Sequence, residues 1–323
     1  MEVEPPARDL HWLKAALQSA VELEFATLPV YLIGMWSIID QEGEVFDLVD
    51  SVVREEMLHL GLACNMLKAI GGSPQIRVPS YPGHLPGGVR PELTVFLAGL
   101  SKDSLAMYME IERPEHPLTP AIETFPSIGR FYDAVLAAFR NLAPTLTFNT
   151  TGQLTSGLLV ANPNGQPLFE QLKKLASLAD VEKAIATIKE QGEGTSTSPD
   201  ALEFGKELAH FYRFGEILHG KKLKPVDGEF KFEGDPVPMP PCHPVAEVPE
   251  EGYPDLPETR AFDESFSTLV ADLQHAWDNG SQSSLGQAIG VMSGLYDLAK
   301  PLVEKRRPND DKHFGPDFKL LST

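Results

Sequence analysis

The 323-residue chain carries 27 basic and 46 acidic residues, a formal net charge of −19, which argues against a surface built for DNA, RNA or anionic membrane. With 42% hydrophobic and 23% charged residues, the composition also argues against wholesale disorder. Cys64 and Cys242 form no metal or disulfide pattern, the N-terminus lacks a basic start and an apolar run, and the apolar stretch at residues 25–36 is too short for a bilayer, so a cytoplasmic protein is expected.

Asp9 caps a first predicted helix running to about residue 40, with Leu10, Leu13, Leu17, Val21, Leu28, Leu32 and Met35 as its buried stripe. After a short turn, a second runs over roughly residues 45–70 on Val49, Val53, Leu60, Ala63, Leu67 and Ile70, and Gly71-Gly72-Ser73-Pro74 ends it. So short a connection makes the two antiparallel. Shorter helices are expected at about 91–99 and 102–113, the second capped by Ser101, then at about 127–141, 170–191 and 199–220. Nine prolines between Pro225 and Pro257 exclude a long helix there, although Val226 to Phe232 alternates as a strand or hairpin arm. Two last helices fall at about 262–279 and 284–305. The resulting division is 1–224 for a helical bundle with a crossover insertion, 225–260 for a proline-rich link, and 261–323 for a helical extension packing on the bundle.

The chemistry lies in two Glu-x-x-His motifs, Glu56-Met-Leu-His59 and Glu207-Leu-Ala-His210. Residues three apart on a helix project from nearly one face, so each carboxylate and imidazole can reach one ion. Glu56 and His59 fall in phase with Val49, Val53, Ala63 and Ile70; Glu207 and His210 fall in phase with Phe204, Phe211 and Phe214. Glu24 shares the inward stripe of the first helix, whereas Glu22 is turned roughly 200° away. Inward carboxylates call for a compensating cation, because an unpaired buried charge is costly. Pro29 leaves the carbonyl of Phe25 without its donor and should kink the helix near Glu24. A dinuclear carboxylate bundle takes a Glu from each of two helices and a Glu-x-x-His from each of the other two. The remaining carboxylate is Glu112 by helical phase or Glu193 by chain order, and both stand as candidates. Tyr31, Tyr108 and Tyr212 are read as core or as donors behind the ligands, and Glu55 and Glu216 as surface or outer residues. Arg213 is read as either a surface group or a neutraliser of a buried carboxylate.

These residues sit in a wider resemblance. Glu24-Phe-Ala-Thr-Leu-Pro-Val-Tyr31, Arg54-Glu-Glu-Met-Leu-His59 and Ala69-Ile-Gly-Gly-Ser-Pro74 are followed by Ile111-Glu-Arg-Pro114, Ile128-Gly-Arg-Phe-Tyr132, Glu190-Gln-Gly-Glu-Gly-Thr195 and His210-Phe-Tyr-Arg-Phe-Gly-Glu-Ile217. Together with the closing His313-Phe-Gly-Pro316, they resemble the ferritin-like family typified by the violacein-pathway iminophenyl-pyruvate dimer synthase, in its ferritin-like region. The resemblance implies oxidative chemistry on amino-acid-derived imines.

The expected fold is all-α: a ferritin-like four-helix bundle with a long crossover and additional C-terminal helices. The expected metal ligands are Glu24, Glu56, His59, Glu112 or Glu193, Glu207 and His210. Hard carboxylates with one imidazole per ion suit two ions of iron or manganese. The expected function is a non-haem dinuclear oxidoreductase acting on a small, amino-acid-derived metabolite with dioxygen, and the subunit can form a homo-oligomer. The alternatives are iron oxidation and storage, or a metal-free ferritin-like binding or scaffold protein.

Overall fold

A computed structural model describes residues 8–114, 125, 127–156, 172–194, 199–201, 207–253 and 256–321. Helix α1 spans Leu10–Trp36, and Asp9 accepts from the Trp12 amide at 2.9 Å to cap it. Helix α2 spans Glu44–Ala69 and lies against α1. Its end is fixed by backbone geometry: Gly71 adopts φ 72°, a left-handed conformation that glycine takes without steric cost. The Gly71 and Gly72 amides then reach back to the carbonyls of Lys68 and Leu67 at 3.0 and 2.9 Å.

The connection after α2 is long, and α3 (Lys102–Glu112) follows it, capped by Ser101 with Ser104 returning the bond. Arg113 is extended, as expected of a residue before proline, and closes α3 just after Glu112. Helix α4 (Ile128–Leu142) starts on Ser127, and α5 (Leu178–Gly192) on Ser177. Helix α6 covers His210–His219. α3 packs on α6, α4 packs on α5, and both pairs lie against α1 and α2. The third and fourth places of the bundle are thus each filled by two segments. Their free ends, at Glu112, Ile128, Gly192 and His210, meet at the middle of α1 and α2.

The remaining elements are small or peripheral. Strands β1 (Asp200–Ala201) and β2 (Glu207–Leu208) pair antiparallel, as do β3 (Lys221–Val226) and β4 (Glu229–Pro236). Helices α7 (Pro257–Asn279) and α8 (Gln282–Glu304) form a hairpin against the outer side of α1. There Trp36 meets Phe262 at 6.0 Å and stacks on Phe318 at 5.9 Å, and Phe25 meets Phe266 at 6.4 Å. The architecture is all-α, with a helical bundle and additional C-terminal helices. Among the described residues no helix is long and apolar enough to cross a membrane.

Three expected helices are corrected, the one expected from about 170 only in its start, since residues 172–177 are not helical and Ser177 caps α5 at Leu178. Residues 91–99 are not helical: Val95 and Gly83 exchange backbone hydrogen bonds at 2.7 and 2.9 Å, which a helix would forbid. The helix expected over 199–220 begins only at His210, because Asp200–Ala201 pairs with Glu207–Leu208 and the Ala209 amide donates to the Pro199 carbonyl at 3.0 Å. Phe204 and Ser198, which informed that expectation, lie outside the described residues.

Candidate metal centre

The site begins with residues that the helical period turns inward. On α1, Glu24, Thr27 and Tyr31 are separated by three and four residues and share one face; all three are buried. On α2 a spacing of three aligns Glu56 and His59, while Glu55 lies about 100° round the helix from Glu56; all three are buried. α3 contributes Glu112 from its last turn, and α6 contributes His210 from its first residue. Five of these residues form two groups sharing one carboxylate. Ligand atoms of Glu24, Glu56 and His59 lie within 4.8 Å of one another, as do those of Glu56, Glu112 and His210.

The two groups are built alike. His59 Nδ1 lies 3.6 Å from Glu24 Oε2 and 3.6 Å from Glu56 Oε1. His210 Nδ1 lies 2.9 Å from the same Glu56 oxygen and 3.7 Å from Glu112 Oε2. The two imidazoles are 5.6 Å apart and nearly parallel. The other oxygen of each outer carboxylate is taken by a phenol: Tyr132 donates to Glu24 Oε1 at 2.5 Å and Tyr31 to Glu112 Oε1 at 2.6 Å. Thr27 Oγ1 lies 2.9 Å from Glu56 Oε2 and 2.9 Å from the Glu24 carbonyl, so its single hydrogen serves one of them.

Each histidine is held from behind. His59 Nε2 is 2.8 Å from Gln191 Oε1, and His210 Nε2 is 2.7 Å from Glu55 Oε2. Glu55 can only accept, so the His210 ring carries its hydrogen on Nε2; Gln191 presents its amide oxygen to His59 Nε2, which favours the same tautomer there, and each ring turns Nδ1 toward two carboxylates. His210 Nδ1 is buried and makes no properly aligned hydrogen bond. Lone pairs facing carboxylate oxygens repel unless a cation or a proton lies between them. An imidazole fixed by a carboxylate or carbonyl on its far nitrogen is also how proteins orient a metal-ligating histidine. The residues therefore fit a metal pair.

The electrostatics point the same way. Burial, then Glu56, pushes the Glu24 carboxyl up to about 8. Burial would also raise Glu56, but His59 and His210 outweigh it and hold that carboxyl well below the usual range. Burial opposes charge on His59 and His210, yet the surrounding carboxylates prevail and raise both. Protons held this way do the work that a cation would do, and a bound metal would displace them. Burial likewise keeps the phenols of Tyr31 and Tyr132 protonated well beyond the ordinary tyrosine range.

Two expected candidates stand apart. Glu193 accepts from the Gly129 amide at 2.7 Å and so caps the start of α4. A side chain at position 129 would collide with that carboxylate, a Cβ falling 2.3 Å from Glu193 Oε2, so the glycine makes the contact possible. Glu207 sits in β2, 34% exposed, and meets Arg213 Nη2 at 3.4 Å.

Other residues of the site carried a weaker signal. Glu55, read as surface or outer, is fully buried, and Arg213 holds it at 3.1 Å. Burial would raise its pKa, but Arg213 and His210 outweigh that and keep it lowered. Gln191 and Tyr132 lay within recognised motifs without an assigned role. The available signal for Glu55 was Arg213, a cation three residues beyond His210 that needs a partner.

Comparison with known proteins gives a consistent answer for the fold. The chain is similar to the crystal structure of a ferritin-like protein from Caulobacter vibrioides, with a TM-score of 0.63 and 21% identity over 90% of this chain and 96% of that one. No curated protein matches the sequence. Residues 17–219 match the family described as Ferritin-like, a span containing every residue of both carboxylate–histidine groups. The chain belongs to the ferritin-like family.

Proposed function

We propose that Glu24, Glu56, His59, Glu112 and His210 hold two iron or manganese ions, and that the protein is an oxidoreductase of a small, amino-acid-derived metabolite. The observation that carries this reading is the matched pair of histidines, each fixed through Nε2 and each facing Glu56 and one outer carboxylate through Nδ1. Oxygen and imidazole donors in this ratio suit iron or manganese better than a metal that demands thiolates. The substrate class rests on the resemblance to the violacein-pathway iminophenyl-pyruvate dimer synthase.

In this reading the protein's own residues have separate tasks. Glu56 is the shared ligand, since one of its oxygens is near both imidazoles. Glu55 and Gln191 set the tautomer and angle of His210 and His59. Tyr31 and Tyr132 hold their protons and leave one oxygen each of Glu112 and Glu24 free to ligate. Ile111 and Phe214, both fully buried, help keep bulk water from the centre. Bound iron or manganese would supply redox chemistry and the reduction of dioxygen or peroxide.

Elemental analysis of protein purified without chelator tests the assignment. About two equivalents of iron or manganese per chain are expected, and Glu56→Ala should lose both because it belongs to both groups. A wild-type protein that takes up no metal after anaerobic loading with ferrous or manganous ion would sink it.

A further inference from the structure

On the outer side of the α1–α2 pair the chemistry reverses. Phe25 and Met57 each follow a carboxylate of the centre by one residue, which turns them about 100° round their helices. With Leu28 they form one wall of a cavity of about 300 Å³, whose opposite wall includes Trp277 of α7 and Met292 of α8. No member of the two carboxylate–histidine groups lines it. The volume falls at the lower end of ligand pockets, which run from about 300 to 1,000 Å³. The cavity lining is mostly apolar, so water fills it without hydrogen-bond partners and an apolar guest would gain dispersion contacts there. Met57 and Met292 are flexible, polarizable side chains that adapt to a guest.

Among the described residues one charged side chain, that of Arg54, lines the cavity. Its Nε donates to Asp50 one turn back on α2, at 2.6 Å, and among the described residues its terminal nitrogens meet no acceptor. The Arg54 side chain is 35% exposed, which places it at the mouth. In a chain of net charge −19, a guanidinium at the rim of an apolar cavity selects for a negative group, and its planar fork fits a carboxylate.

We propose that this cavity binds a small apolar monocarboxylate, with its aliphatic or aryl body between the bundle and the C-terminal hairpin and its carboxylate on Arg54. The site is independent of the metal centre.

Titration calorimetry with decanoate, with the quenching of Trp277 as a second signal, tests the proposal. One molecule should bind per chain, and decanol should bind more weakly. Arg54→Gln should weaken decanoate about tenfold to a hundredfold, as expected for a charged hydrogen bond, while leaving decanol affinity and metal content unchanged. Ala288→Phe, which fills the cavity, should remove both ligands; if that variant does not fold, Met292→Trp narrows the same wall. Failure of the wild type to bind decanoate, or binding that survives the filling substitution, overturns the site. Equal affinity for decanoate and decanol, or indifference to Arg54→Gln, overturns the assignment to a carboxylate.

Discussion

Glu56 and His59 lie in the middle of α2, both buried, with a carboxylate oxygen and an imidazole nitrogen 3.6 Å apart. Glu207 and His210 have the same spacing, but α6 begins at the histidine and leaves the glutamate in a two-residue strand. A spacing of three becomes a shared face only when a helix passes through both residues. Where it does not, the histidine finds its support across the bundle: His210 is oriented by Glu55 of α2 at 2.7 Å, and Glu112 of α3 takes the outer place. The centre is symmetric in its chemistry and asymmetric in the chain that builds it.

The sharpest way to break this comparison is to remove the second repeat one residue at a time. His210→Ala should weaken metal binding by about a hundredfold or more, since even residues behind the ligands are worth roughly 10–100-fold. Glu207→Ala should leave metal content near that of the wild type. Metal titrations of both variants decide it, and equal losses would mean that Glu207 reaches the centre. The next largest effect should follow from Arg213→Ala. Arg213 is buried, pairs with Glu55 and donates to Ser51 Oγ at 2.9 Å. Removing it strands a buried carboxylate, a change that typically costs about 3–5 kcal/mol. Urea unfolding would show this, and a loss below about 1 kcal/mol would mean that Glu55 is neutral or hydrated.

The difference between the halves also explains what the sequence could reveal. Helices α1 and α2 are long and clearly punctuated, so their existence and pairing were legible, and Glu24, Glu56 and His59 are buried as their phase suggested, although Leu10 of the expected α1 stripe is exposed and Leu28 lines the outer cavity. Glu112 was legible by phase too, but its rival Glu193 stood beyond Gly192, where phase no longer predicts direction. The inward phase expected for Glu207 assumed a helix over 199–220, and the pairing of 200–201 with 207–208 replaces that helix before His210. Glu55 was missed because it points about 100° away from Glu56, toward a partner helix whose position no local pattern encodes. Gln191 and Tyr132 reach the site from ends of α5 and α4, and only tertiary packing brings those ends together.

Glu193 sharpens the contrast through pH. Burial pushes its carboxyl up to about 7 from an ordinary 4.5. The native protein therefore holds this proton across a window in which the unfolded chain has lost it. The stabilising contribution is complete below the unfolded value and falls as pH rises to about 7, by roughly 3 kcal/mol at most. Glu193→Gln keeps a carbonyl for the Gly129 amide and cannot ionise. Unfolding free energies measured at about pH 5 and about pH 8 should shift in favour of the variant by that amount. A difference that does not change with pH would place Glu193 in contact with solvent or a cation.

The smallest expected effect is the most informative about chain geometry. In Glu207→Gln the 3.4 Å contact between a partly exposed carboxylate and Arg213 is lost, but Arg213 keeps Glu55 at 3.1 Å, Ser51 and the Leu208 carbonyl. An ion pair of that exposure is worth little, so stability should change by no more than about 0.5 kcal/mol. If the substitution instead costs several times that and depletes the metal, Glu207 must be turned inward. That requires α6 to extend toward its N-terminus through residues 207–209, and the pairing with 200–201 to open. The two repeats would then be helical equivalents, and the support His210 draws from Glu55 would be only one of two arrangements available to it.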